Sequence, residues 1–256
     1  MFRLKGKKIL ITGAGGLLGT EFTFSIIQNG AVCYALDFDK NRLNKIFLKT
    51  PIHLRKKLRL IHIDITKIKD LIQFNNELLK KNIFIDTIIN NATNNPSISG
   101  SKGKIFTWEE DILIGLTAIK NIIETFSYKM KKKRLGNIIN IGSDLSLIAP
   151  DQRLYSHLKN FQKPLSYSVV KHGIVGITKY YASLFAKFNI RVNCLCPGGV
   201  KQFQDKKFLK KINKLIPLGR MAEKNEYNGA IVFLCSEESK YMTGQNLIID
   251  GGRTII

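Results

Sequence analysis

Ile9-Leu10-Ile11-Thr12-Gly13-Ala14-Gly15-Gly16-Leu17-Leu18-Gly19 is the stretch that decides the fold. A short apolar run, then glycines, then helical periodicity through Gln28 reads as a buried strand, a tight turn and a helix. Glycines let backbone N–H groups approach a pyrophosphate, and the helix N-terminus favours its negative charge. A glycine turn alone is weak evidence, and an acidic residue ending the next strand strengthens it. Asp37 stands there, 18 residues beyond Gly19. A carboxylate at that point accepts hydrogen bonds from both ribose hydroxyls of an adenosine and repels a 2′-phosphate. NAD(H) is therefore favoured over NADP(H), which the nearby Lys40 and Arg42 keep possible. The competing reading of Asp37 is a turn or N-cap residue.

Strand and helix signals alternate along the rest of the chain. Strands are expected at 8–12, 31–37, 58–63, 87–90, 137–141, 191–195 and 245–250. Helical periodicity covers 71–81, 108–133, 165–187 and 225–236, with Gly136 expected to end the second of these. Such alternation implies parallel pairing with right-handed crossovers. The fold class is α/β: a doubly wound, seven-stranded parallel sheet with helices on both faces, in a single domain over 1–256. Its ligands are expected at the carboxyl ends of the strands. The weakest order is expected at 94–104 and 200–214, and substrate loops at about 144–166 and 200–220.

Composition narrows the function. The 256 residues suffice for one large core, and no apolar run approaches the ~20 residues of a membrane span. The first residues lead straight into a strand without a cleavable apolar segment, so a cytoplasmic protein is expected. Cys33, Cys194, Cys196 and Cys235 read as reduced core thiols, and no metal-ligand spacing is present. The net charge of +22 reads as a lysine-rich surface of the kind AT-biased codon usage produces. No nucleic-acid motif accompanies it, so no specific nucleic-acid partner is expected. The attraction of an anionic cofactor or substrate is the better use of the charge.

Tyr167-Ser168-Val169-Val170-Lys171 sets a tyrosine and a lysine on one face of a helix. An ammonium beside a phenol favours the phenolate, so the Tyr167 pKa should fall, giving a proton donor and acceptor useful near neutral pH. By itself the spacing is common. Downstream of the glycine turn, and of Ser143 just past an apolar strand, it becomes specific. Ser143 taken alone also reads as a strand-end capping serine.

With these residues the chain resembles the short-chain dehydrogenase/reductase family over nearly its whole length. Thr12-Gly13-x-x-Gly16-x-x-Gly19 has the glycine spacing of the extended branch, whereas the length and remaining motifs look like the compact branch. Leu17 stands where the compact branch has glycine. The resemblance implies that Gly13, Gly15, Gly16, Leu17, Leu18 and Gly19 hold the pyrophosphate. It places Asp64 and Ile65 near the adenine, Asn91 and Ala92 in the Asn-Asn-Ala motif, and Pro197, Gly198 and Val200 beside the nicotinamide. It further implies that Ser143 orients the reacting oxygen and that Tyr167 gives or takes the proton. Lys171 would lower the tyrosine pKa and bind ribose hydroxyls. The stretches 241–245 and 249–252 look like the family's C-terminal strand, which implies a homo-oligomer, dimer or tetramer.

Two departures stand out. Gly115 occupies the position where the compact branch places an asparagine that serves a lysine-linked water relay. Ser143 and Tyr167 are 24 residues apart, more than in typical compact members. The intervening segment carries Arg153, His157, Lys159 and Lys163 with Tyr155 and Phe161, which suggests a larger or anionic substrate, or else a lengthened surface loop. Local strings resemble oxidoreductases of nonulosonic-acid and flagellin-glycan sugar biosynthesis. The leading expectation is an NAD(H)-dependent alcohol/carbonyl oxidoreductase acting on a sugar-derived, anionic small molecule. The alternatives are a 3-oxoacyl-thioester reductase using NADP(H), against which Asp37 counts, and a non-catalytic dinucleotide-binding protein.

Overall fold

A computed structural model describes residues 2–94, 107–158 and 161–256, so Lys159 and most of the 94–104 segment lie outside the described residues. The chain runs β1 (Lys8–Thr12), α1 (Leu17–Gln28), β2 (Val32–Asp37), α2 (Lys40–Lys49), α3 (Ile52–Arg55), β3 (Leu58–His62), α4 (Ile68–Lys80) and β4 (Thr87–Asn90). It continues through α5 (Trp108–Ile112), a π-helical turn (Leu113–Thr117), α6 (Ala118–Lys133), β5 (Gly136–Ile141), α7 (Leu165–Phe185) and β6 (Ile190–Pro197). Last come α8 (Lys206–Asn213), α9 (Asn228–Cys235) and β7 (Asn246–Ile249). The seven strands form one parallel sheet in the order β3-β2-β1-β4-β5-β6-β7. The expected doubly wound architecture is what the chain adopts.

Strand alternation divides the core into two apolar layers. Leu10 of β1 faces the layer built by Leu71 and Leu78 of α4, Ile122 and Phe126 of α6, and Ile174 and Phe185 of α7. Ile9 and Ile11 face the opposite layer, with Phe22 and Ile26 of α1, Ile46 of α2, and Ile231 and Leu234 of α9. The strand order reverses between β1 and β4, and the carboxyl ends of those strands open onto a cavity, as the switch-point rule requires.

Two expectations are corrected. Gly136 does not end the long helix; it opens β5, where a Cβ would crowd the Met130 side chain. Arg134 ends the helix instead in the left-handed conformation (φ 51°), and Leu135 N–H returns to Met130 O at 3.2 Å. The 200–214 segment, expected to be weakly ordered, contains α8. Asp205 caps that helix through Phe208 N–H, and Phe208 and Ile212 pack against Leu154 and Tyr155 of the long 144–166 segment. Each segment is too short to bury an apolar face alone, and together they form a third small core.

Candidate active site

The glycine turn is shaped by close approaches. Gly13 has φ +61°, and a Cβ there would lie 2.8 Å from Ala92 Cα; a Cβ on Gly19 would collide with the Gly13 carbonyl. Asn91 Nδ2 donates to Thr12 O (3.1 Å) and Gly13 O (3.0 Å), and the Thr12 hydroxyl accepts from the N–H groups of Asn91 and Ala92. The β1 turn is thus tied to the end of β4. Gly13, Gly16, Leu17 and Leu18 line the cavity, whereas Gly15 and Gly19 shape the turn from behind.

Asp37 is buried at the end of β2. Its Oδ2 accepts from Gly15 N–H at 2.8 Å and its Oδ1 from Asp39 N–H at 3.0 Å. The N-cap of α2 is Asp39, which accepts from Asn41 and Arg42 N–H, so of the competing reading only the turn half holds: Asp37 Oδ1 accepts from the N–H two residues on. Asp37, Asp64, Ile65, Asn91, Ala92, Pro197, Gly198 and Val200 all reach the same cavity, of about 850 Å³. Its shape fits a dinucleotide. A carboxylate stands at one end, the N-terminus of α1 with Gly13 and Gly16 in the wall lies between, and Ser143, Tyr167 and Lys171 stand at the other.

The catalytic candidates come from two elements. β5 leads into Gly142-Ser143, and α7 carries Tyr167 and Lys171. A buried polar ladder fixes α7 on the sheet: Asn90 Nδ2 donates to Asn140 Oδ1 (2.8 Å), and Asn140 Nδ2 to Thr178 Oγ1 (2.9 Å). At the start of α7 the Ser166 hydroxyl donates to the Asp111 carboxylate of α5. Both ends of the Tyr167–Lys171 face are therefore held.

Ser143 is a capping serine that also lines the cavity. Its Oγ caps the short 3-10 turn Asp144–Ser146 by accepting from Leu145 N–H, and it also faces the cavity. The same hydroxyl donates to Asp144 Oδ1 at 2.8 Å, and Asp144 Oδ2 is paired with Arg253 Nη1 at 2.6 Å, both residues being buried. Asp144 and Arg253 were not singled out in the sequence, since nothing local links positions 109 residues apart.

The expected fall in the Tyr167 pKa is corrected. Burial pushes the phenol above its ordinary value, with the Ser143 hydroxyl opposing and the Asp144 charge adding. Lys171 does not offset this, because its Nζ lies 5.6 Å from the ring centroid and donates to Ile141 O at 3.1 Å. Burial lowers Lys171 itself to about 8. A different ammonium stands over the phenol ring: Lys163 Nζ, 3.8 Å from its centroid.

Of the basic residues in the long segment, Lys163 enters the cavity. Arg153 is exposed and paired with Asp151, and His157 Nε2 bonds Asp205 at 3.0 Å, tying the segment to α8. Arg42 and Phe38 also line the cavity beside Asp37. Among the described residues no group of three or more His, Cys, Asp and Glu side chains is placed to hold a metal ion, and the four cysteines are buried and free.

A family model described as enoyl-(acyl carrier protein) reductase matches residues 18–254. The post-translational flagellin modification protein A of Campylobacter coli is 30% identical over 256 residues, covering 97% of this chain and 98% of that protein. The 3-oxoacyl-(acyl-carrier-protein) reductase FabG of Thermotoga maritima is 31% identical over 261 residues, covering 99% of this chain and 100% of that protein. A solved short chain dehydrogenase of Leptospira borgpetersenii with bound NAD+ superposes with a TM-score of 0.86 at 30% identity, covering 98% of this chain and 94% of that one.

Proposed function

Because the chain belongs to the short-chain dehydrogenase/reductase family, whose members act on CH–OH groups with NAD(P), we propose that it uses NAD(H) to interconvert an alcohol and a carbonyl on an anionic, sugar-derived small molecule. The observation that carries this reading is the convergence of Ser143, Tyr167 and Lys171 on one end of the cavity that Asp37 lines at the other. A bound nicotinamide would supply the hydride chemistry. Tyr167 gives or takes the proton at the substrate oxygen, and Ser143 orients that oxygen. Lys171 holds the ribose side of the site.

Asp37 supports NAD(H), since its negative charge at the end of β2 repels a 2′-phosphate while each oxygen keeps a lone pair for a ribose hydroxyl. The flagellin modification relative supports the sugar-derived substrate, and Lys163 in the cavity wall supports its anionic character. A cytoplasmic setting agrees with four buried free thiols. No helix among the described residues is long and apolar enough to cross a membrane. Edge strand β7 with exposed Ile248, beside exposed Tyr241, supports a homo-oligomer.

The test is a screen of sugar acids, sugar phosphates and nucleotide sugars with each nicotinamide cofactor, reading absorbance of its reduced form. Turnover of a sugar-derived anion with NAD(H) is expected. A second reading, reduction of a 3-oxoacyl thioester with NADP(H), is favoured by the Thermotoga maritima relative and by Arg42 in the cavity wall. Preferential turnover of acetoacetyl thioesters would select it.

A further inference from the structure

We propose that Asp144, held by Arg253, is a positioning residue that fixes the hydrogen-bond polarity of Ser143, so that Ser143 meets the substrate oxygen as an acceptor and the site recognises a hydroxyl there; this rests on the active-site assignment above. Arg253 Nη1 pairs with Asp144 Oδ2 at 2.6 Å inside the fold, Asp144 being 3% and Arg253 8% exposed. A guanidinium keeps its charge, so the carboxylate paired with it can only accept. The Ser143 hydroxyl, 2.8 Å from Asp144 Oδ1, is therefore the donor of that bond. Leu145 N–H is shared between Ser143 Oγ (3.1 Å) and Asp144 Oδ1 (2.8 Å), and it occupies one lone pair of the hydroxyl. One lone pair remains, on a residue that lines the cavity.

The pair is built from two distant parts of the chain. Asp144 opens the 3-10 turn after β5, which Ser143 N–H secures by donating to Ser146 Oγ at 3.0 Å. Arg253 follows β7, in a tail fixed by Asp250. That carboxylate accepts from Gly252 N–H at 2.9 Å and from Thr254 N–H at 2.8 Å, one on either side of Arg253. Gly251 and Gly252 have φ +69° and +90°, a path that side chains resist. The tail is thereby turned so that its guanidinium reaches Asp144.

The second hydroxyl of the site has the opposite polarity. Burial raises the Tyr167 phenol, the Ser143 hydroxyl opposes and the Asp144 charge adds, so Tyr167 keeps its proton and donates. The reacting oxygen therefore faces one donor, Tyr167, and one acceptor, Ser143. A hydroxyl satisfies both, accepting from Tyr167 and donating to Ser143. A carbonyl oxygen has no hydrogen to give and meets the Ser143 lone pair with its own. The competing account is a Ser143 hydroxyl that swings from Asp144 to a bound carbonyl. That swing takes a charge-assisted bond from a buried carboxylate, which makes it costly.

Calorimetric titration of the NADH-loaded full chain with cyclopentanol, which donates and accepts, and with tetramethylene sulfoxide, an acceptor of similar size, tests this. Neither probe reacts with NADH, so binding is read without turnover. Cyclopentanol should bind roughly 10- to 100-fold more tightly. D144N/R253Q buries no charge and frees the Ser143 hydrogen to turn toward the cavity, which should cut that preference roughly tenfold. S143A, with the ion pair intact, should cut it likewise, and R253K, which keeps a cation, should retain it. A merely structural role for the pair would weaken both probes alike and leave their ratio unchanged. Failure of cyclopentanol to bind, equal affinity of the wild type for the two probes, or an unchanged ratio in S143A or in folded D144N/R253Q overturns the proposal. Tyr167→Phe separates it from the wider reading, because that variant should lose turnover and keep the preference for cyclopentanol. Turnover that survives Tyr167→Phe would remove the catalytic reading and leave the polarity of Ser143 standing.

Discussion

The Val170 side chain fills the space that a Cβ on Gly115 would need, so the absent relay side chain and the residue before Lys171 are one packing unit. Gly115 lies at the centre of the π-helical turn between α5 and α6, and Val170 sits on the face of α7 that carries Lys171. π-helical turns concentrate at functional sites because they re-aim the backbone. Here the turn itself, with α5, packs against α7 without any side chain at 115.

Gly115→Asn should therefore destabilise the protein by about 1–3 kcal/mol through overpacking. Val170→Ala in the same chain should recover most of that loss. Denaturant unfolding of the two single variants and the double variant measures the coupling, and strictly additive effects would show that the two positions do not share space.

Tyr167→Phe should lower kcat by about 10²- to 10⁴-fold while cofactor affinity stays near the wild-type value. Burial raises the phenol, so in the cofactor-free protein Tyr167 stays protonated through its ordinary value of 10.0. The ultraviolet difference between wild type and Tyr167→Phe should show no phenolate appearing below that pH. An earlier ionisation would mean that a cation reaches the hydroxyl.

Asp37→Ala removes the acceptor of Gly15 and Asp39 N–H together with the negative charge at that end of the cavity. Stability should fall by about 1–3 kcal/mol, and the preference for NADP(H) relative to NAD(H) should rise by roughly tenfold or more. Steady-state kinetics with both cofactors reads the second effect. An unchanged ratio would assign cofactor choice to Arg42 instead.

Arg253→Gln leaves Asp144 buried without its cation and should cost about 3–5 kcal/mol. Adding Asp144→Asn should return most of it, because no buried charge then remains. The pair of unfolding curves decides between an ion pair and a packing contact.

Lys163 titrates near 8 in the folded chain against 10.5 for an ordinary lysine. Between those values the unfolded chain binds more protons than the native one, so this group's contribution makes stability rise with pH across that window. Below it, both states are protonated and the burial of the charge disfavours folding. Lys163→Met should flatten that part of the rise in thermal midpoint. A variant with the wild-type slope would place Lys163 in water.

The seven parallel strands, the glycine turn and the candidate residues Asp37, Ser143, Tyr167 and Lys171 were legible in the amino-acid order alone. These features are local: strand and helix periodicity, a fixed motif spacing and residues at strand ends follow from chain chemistry over a few positions. Gly136 misled because glycine ends many helices, while here Arg134 took the left-handed cap and Gly136 was needed for contact with Met130. What surrounds Ser143, Tyr167 and Lys171 came from tertiary packing alone. It joined Arg253 to Asp144 across 109 positions, turned Lys163 inward through Gln152, and set Val170 into the space beside Gly115. It also decided the sense of the Tyr167 shift, because desolvation depends on everything packed around the phenol, and the spacing to Lys171 says nothing of that.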